Sequence, residues 1–132
     1  MSPITSQYAE IVQYEPTKNI FLVQQNGQEV FQLSFADSII RRFYTVSLGY
    51  ILIFQTCSAI ALEKGNICLV SFSGDIVWWV EKQTRNGYLV SYINFRFDRD
   101  YLVADDGSHD CWIDVRNGKI IKSEKLMPYL HF

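Results

Sequence analysis

The chain has 132 residues, 48% of them hydrophobic and 15% aromatic, with 14 acidic against 12 basic side chains and a formal net charge of −2. That length suits a single domain, residues 1–132, with its own core, and the aromatic content excludes a disordered or coiled-coil chain. The near-neutral total gives no reason to expect a nucleic-acid polyanion as a direct partner.

Residues 1–5 hold neither a basic stretch nor an apolar core, unlike a signal peptide. Beyond them, turn signals punctuate the chain at Asn26-Gly27, Lys64-Gly65-Asn66, Asn86-Gly87, Asp106-Gly107 and Asn117-Gly118. Asn, Asp and Gly tolerate the positive φ that tight hairpins require, so this beat predicts a meandering antiparallel β protein. Residues 8–14 read as the first strand and residues 15–17 as a turn. Residues 20–24 and 28–35 form a hairpin on Asn26-Gly27. A two-residue turn there sets Leu22 against Phe31 and Ile20 against Leu33, with Phe35 on the same face. Residues 37–42 read either as a helical turn capped by Asp37 or as a loop entering a strand. Residues 50–54 are apolar on both faces, which predicts a strand covered on both sides.

Residues 59–62 and 67–72 make the next expected hairpin. Residues 75–81 contain Trp78 and Trp79, which a strand points to opposite sides, so that one of them is available for contact at an open face. Residues 88–97 alternate, with Ile93, Phe95 and Phe97 on one side and Asn94, Arg96 and Asp98 on the other. Residues 101–104 and 111–115 flank an acidic turn. At Asn117-Gly118 a three-residue loop through Lys119 sets Val115 against Ile121 and Asp114 against Lys122, which separates apolar from polar faces. Residues 123–132 hold one helical turn, capped by Ser123 and ended before Pro128.

Taken in fours, the strands recur about every 40 residues, the length of a propeller blade. The expected fold class is all-β: meandering antiparallel sheets, barrel-like or propeller-blade-like, with at most one or two short helical turns. Inward positions are Leu22, Phe31, Leu33, Ile51, Ile53, Ile60, Leu69, Ile93, Phe95 and Ile113. The three cysteines, Cys57, Cys68 and Cys111, are odd in number and lack a Cys-X-X-Cys spacing, and read as buried, reduced thiols of a cytoplasmic protein. The most apolar region, residues 48–62, is interrupted by Gln55, Thr56 and Ser58 and falls short of the ~18–20 residues of a membrane helix.

Charge is unevenly distributed. Between Asp98 and Asp114 stand six aspartates against Arg99 alone, a formal charge of −5 in seventeen residues. Within that stretch, Asp105-Asp106-Gly107-Ser108-His109-Asp110-Cys111 is the one polar cluster with chemical promise. His109 with its flanking carboxylates is a conceivable metal ligand or acid–base group, and Cys111 a conceivable thiol nucleophile. Ligands on one tight turn rarely converge, however, and residues two apart on a strand do not face one another. With no Gly-X-Ser-X-Gly elbow and no Gly-rich phosphate loop, the expectation is a non-enzymatic chain with no catalytic residue, no metal and no cofactor. Its binding surface is then Asp98, Asp100, Tyr101, Asp105, Asp106, His109, Asp110 and Trp112. The acids supply a field for a basic protein surface, and Tyr101 and Trp112 supply an apolar anchor.

In size, acidity, absence of catalytic residues and cytoplasmic character, the chain resembles the immunity proteins of bacterial contact-dependent growth-inhibition and related polymorphic toxin systems. The resemblance is one of general character over the full length. It implies a cytoplasmic inhibitor that forms a one-to-one complex with a basic cognate toxin domain, often a nuclease, without contacting nucleic acid or membrane. The alternative expectation is a small-ligand-binding barrel-like domain or an enzyme that uses a cavity inside a curved sheet.

Overall fold

The computed structural model describes residues 7–127. Among them, strands β1 (Gln7–Glu15), β2 (Lys18–Gln25) and β3 (Gln28–Leu33) form an antiparallel sheet in sequence order. Strands β4 (Ile40–Val46), β5 (Gly49–Phe54), β6 (Ile67–Val70) and β7 (Ile76–Trp79) form a second meander, with helix α1 (Ala59–Lys64) inserted between β5 and β6. A two-stranded ribbon, β8 (Thr84–Arg85) and β9 (Tyr88–Leu89), precedes the third meander. That last sheet comprises β10 (Asn94–Asp98), β11 (Tyr101–Asp105), β12 (His109–Asp114) and β13 (Ile120–Lys125). The protein is thus all-β, and its sheets are blade-like rather than closed into a barrel.

The second sheet is the middle layer, and its sequence explains why. Every residue of β5 and β6 is buried. Alternation sends Ile51, Ile53, Ile67 and Leu69 to one core, where Leu102, Ala104, Cys111 and Ile113 of the third sheet meet them. It sends Tyr50, Leu52, Phe54, Cys68 and Val70 to the other, against Phe21 and Val23 of the first sheet. Trp78 and Trp79 divide in the same way. Trp78 is buried in the first core and donates from Nε1 to the Val115 carbonyl at 2.8 Å, while Trp79 packs on the second. Neither is exposed. The Trp78 ring also explains Gly118, whose φ is +75: a Cβ there would come within 2.6 Å of the ring.

Two buried asparagines tie the layers together. Asn19 donates to the Ile40 carbonyl (2.8 Å) and accepts from the Ile40 N–H (3.2 Å), joining β2 to β4. Asn66, fully buried, does the same for Tyr92, at 2.8 and 2.9 Å, and also reaches the Phe54 carbonyl. Each amide therefore stands in for a neighbouring strand and satisfies backbone groups that burial would otherwise strand at a cost of about 1–3 kcal/mol each.

Several sequence expectations are corrected. Residues 59–62 are helical, because Ser58 caps the segment by accepting from the Ala61 N–H (3.4 Å) and Ala-Ile-Ala-Leu-Glu-Lys has stronger helix than strand preference. The first hairpin keeps its two-residue turn, but a bulge follows. The pairing becomes Val23 with Phe31 and Phe21 with Leu33, which moves Leu22 to the outer face. Residues 88–97 are not one strand, since the backbone of Tyr92 is diverted to Asn66 and Ile93 lies exposed. Phe31, Leu33, Ile60 and Phe95 are only partly buried at the core margins. Of the two readings of residues 37–42 the loop entering a strand is the one observed: Asp37 sits at φ 55 in a turn before β4, and its carbonyl accepts from the Ala59 N–H at the start of α1 (3.2 Å).

The loop at Asn117-Gly118 begins earlier than expected. Asp114 N–H donates to the Lys119 carbonyl, and the register beyond it pairs Ile113 with Ile120 and Trp112 with Lys122. Ser123 lies within β13, so the helical turn placed there does not form, and residues 128–132 of that expected turn lie outside the described residues, as do residues 1–5. All three cysteines are free; Cys68 and Cys111 are buried but Cys57 is exposed. Among the described residues no helix is long and apolar enough to cross a membrane.

Candidate functional site

Since the third sheet packs only one face on the core, its other face is open. The register across β10–β13 sorts that face into rows. Asp98, Tyr101 and Asp114 form the first; Arg96, Val103, Trp112 and Lys122 the second; Asn94, Asp105, Asp110 and Glu124 the third. Five of the eight residues singled out from sequence, Asp98, Tyr101, Asp105, Asp110 and Trp112, therefore share one surface.

The middle row is its centre. The Trp112 ring lies under two cations, with Lys122 Nζ 4.2 Å and the Arg96 guanidinium 5.8 Å from its centroid, and its Nε1 donates to Asp98 Oδ2 at 3.1 Å. Val103 beneath is only 1% exposed although it points outward. Arginine and lysine stems therefore roof an apolar strip and hold their charges at its rim.

Most of the acids already have partners. Arg96 pairs with Asp110, its Nη1 and Nη2 at 3.4 and 3.2 Å from the two carboxylate oxygens. Arg116 grips the nearly buried Asp114 through Nε (3.1 Å) and Nη2 (2.9 Å), and its own N–H adds a third bond, which together keep that carboxyl below the usual range. Asp105 accepts from the Gly107 N–H at 3.0 Å and from Asn94 at 3.4 Å. The six-to-one excess in the linear sequence is thus largely balanced in space by Arg85, Arg96 and Arg116.

Asp106 belongs to the turn rather than to the face. Its Oδ1 accepts from the N–H groups of Ser108 and His109, both at 2.9 Å, and its Oδ2 takes Arg85 Nε at 2.7 Å from the β8–β9 ribbon. Burial alone raises its pKa, but the Arg85 guanidinium and the turn N–H groups overcome that and hold the carboxyl at about 2. His109 shares a hydrogen bond between its Nδ1 and Ser108 Oγ at 2.8 Å. Cys111 points into the core, on the same side of β12 as His109, and hydrogen-bonds with Gln83 and Ser123. Asp100 is exposed at the β10–β11 turn, and its carbonyl accepts from the Val115 N–H at 3.4 Å. Among the described residues no three His, Cys, Asp or Glu side chains gather as metal ligands.

Sequence reasoning missed Arg96, Val103, Lys122 and Glu124 as members of the surface, and Arg85 as the anchor of the acidic turn. The alternation of Asn94, Arg96 and Asp98 was the available signal for the first. No local signal marks Arg85, which lies 21 residues from Asp106. No family model matches the chain, and no curated protein matches it.

Proposed function

We propose that the chain is a non-enzymatic interaction protein that docks a basic protein domain on the open face of its third sheet. The observation that carries this reading is the Trp112 strip: an aromatic ring on a sheet face, rimmed by Asp98, Asp105, Asp110 and Glu124 and by two cations. Such a patch combines the aromatic centre and charged rim of a protein–protein interface. Asp105 on the face and Asp100 at the adjoining β10–β11 turn have no ion-pair partner among the described residues and set the long-range field, while the ion-paired acids fix side-chain positions. A cytoplasmic inhibitor of a toxin domain in a bacterial growth-inhibition system, in a one-to-one complex, is the specific role that this acidity and the resemblance support. Fast electrostatically steered association suits the masking of a harmful enzyme.

Affinity purification of the tagged protein from its native host, followed by mass spectrometry of co-purifying chains, tests the proposal. The expected result is one basic protein in stoichiometric amount, lost when Trp112 is replaced by Ala. Recovery of the chain with only neutral or acidic partners, retained equally by the Trp112→Ala variant, contradicts it.

A further inference from the structure

Three two-residue turns of this chain, Asn26-Gly27, Asn86-Gly87 and Arg99-Asp100, open on a residue at positive φ and differ in one respect. Two of them, Asn26-Gly27 and Asn86-Gly87, place residues at positive φ that accept it readily. The third, between Asp98 and Tyr101, puts Arg99 at φ 57, where an arginine backbone is disfavoured and Gly or Asn is the usual choice. The cost at this position is unexplained by any contact, because Arg99 has no hydrogen-bond or ion-pair partner among the described residues.

Arg99 instead borders a cleft of about 450 Å³ between the β4–β5 turn and the tips of the third sheet. That volume is in the range of small-molecule sites. Val46, Leu48, Phe97 and Val115 make its walls apolar, and Leu48 and Phe97 remain 45% and 43% exposed there. Phe97 is held edge-on against Tyr44 at 5.2 Å, so this wall is fixed. The bond from Val115 N–H to the Asp100 carbonyl ties the Arg99 turn to the loop that carries Arg116.

Arg116 is the second cation of the cleft. It commits Nε and Nη2 to Asp114 and leaves Nη1 without a partner among the described residues. Ser47 adds a hydroxyl, and Asp100 contributes one opposing charge. Asp114 already neutralises Arg116, so Arg99 supplies the charge against Asp100 and the Nη1 of Arg116 supplies a further donor. This set suits one carboxylate group, and the apolar walls favour a compact hydrocarbon body behind it.

We infer that this cleft binds a small organic monoanion, a carboxylate on an aromatic or branched apolar body, with Arg99 and Arg116 holding the charge. The cleft lies at the turn end of the sheet, off its open face, and shares Asp100 with the docking proposal.

The test is an NMR titration of the folded protein with benzoate, with benzamide and inorganic phosphate as comparators. Benzoate is expected to give saturable amide shifts at Leu48, Phe97, Arg99 and Arg116. Benzamide, which lacks the charge, and phosphate, which lacks the apolar body, should each bind at least about tenfold more weakly, the worth of one charge-assisted hydrogen bond. Arg99→Gly provides the decisive variant, because glycine relieves the turn. The variant should fold, melt no lower than the wild-type protein, and bind benzoate at least about tenfold more weakly. Absence of localised saturable shifts, comparators that bind as well as benzoate, or an Arg99→Gly variant with unchanged affinity would each overturn the assignment.

Discussion

The two outer faces of the stack are built by the same meandering geometry and present opposite chemistry. On the first sheet, the register turns Tyr8, Val12, Tyr14, Ile20 and Leu22 outward, beside Gln24 and Gln32, with Glu10 and Glu29 as the charges. On the third sheet the outward residues are mostly ionic and are fastened to one another around Trp112. The first face is apolar but loosely held: Tyr8 and Tyr14 are more than half exposed. The second is polar but ordered, with its ring 9% exposed beneath cations. Preorganised side chains lose less entropy on binding than free ones, so order rather than apolarity distinguishes the face suited to specific recognition.

Stability measurements can break that contrast. Trp112→Ala should cost about 2–4 kcal/mol in urea unfolding, because it uncovers Val103 and removes the surface on which Arg96 and Lys122 rest. Tyr14→Ala, on the opposite face, should change stability by less than about 0.5 kcal/mol. Equal losses would mean that the two faces are equally ordered. Asp106→Asn comes next, at about 1–3 kcal/mol, because Arg85 loses its charged partner.

The Asp106 effect has a pH signature. The carboxyl titrates near 3.8 when unfolded and at about 2 when folded, so its stabilisation is complete above about pH 4 and is lost as pH falls toward 2. Wild type and Asp106→Asn should therefore converge in stability across that window, as followed by thermal melts. A difference unchanged from pH 5 to pH 2 would show that the pair contributes through packing and not charge. The smallest expected effect is Arg96→Gln, about 0.5–1 kcal/mol and reduced by salt, as for a half-exposed ion pair over a ring.

The architecture was legible where one residue type forces one outcome. Residues 50–54, apolar at every position, had to be covered on both sides, and Trp78 and Trp79 had to point to opposite sides, although the sequence left one of them for an open face where the structure gives each a core. What escaped depended on contacts between distant residues. Asn66 reads as a turn residue in sequence, yet its amide replaces a strand partner for Tyr92 and breaks the run 88–97. A single bulge in the first hairpin exchanges Leu22 for Phe21 and Val23 in the core. The acidic segment announced itself as a run of aspartates, but its spatial charge depends on Arg85, Arg96 and Arg116, all of which lie outside the run. Alternation placed Arg96 beside Asp98; only the register of four strands sets it over Trp112.

The most direct test of the docking proposal is the association rate with the partner recovered by co-purification, measured at low and high salt. Asp100→Asn combined with Asp105→Asn alters the field and leaves the ion pairs of Asp106, Asp110 and Asp114 in place. Tyr8→Ser combined with Tyr14→Ser alters the opposite face. The account predicts slower association and a flatter salt dependence for the first variant, with wild-type kinetics for the second. Wild-type kinetics for the aspartate variant together with impaired binding by the tyrosine variant would contradict it and move the interface to the first sheet.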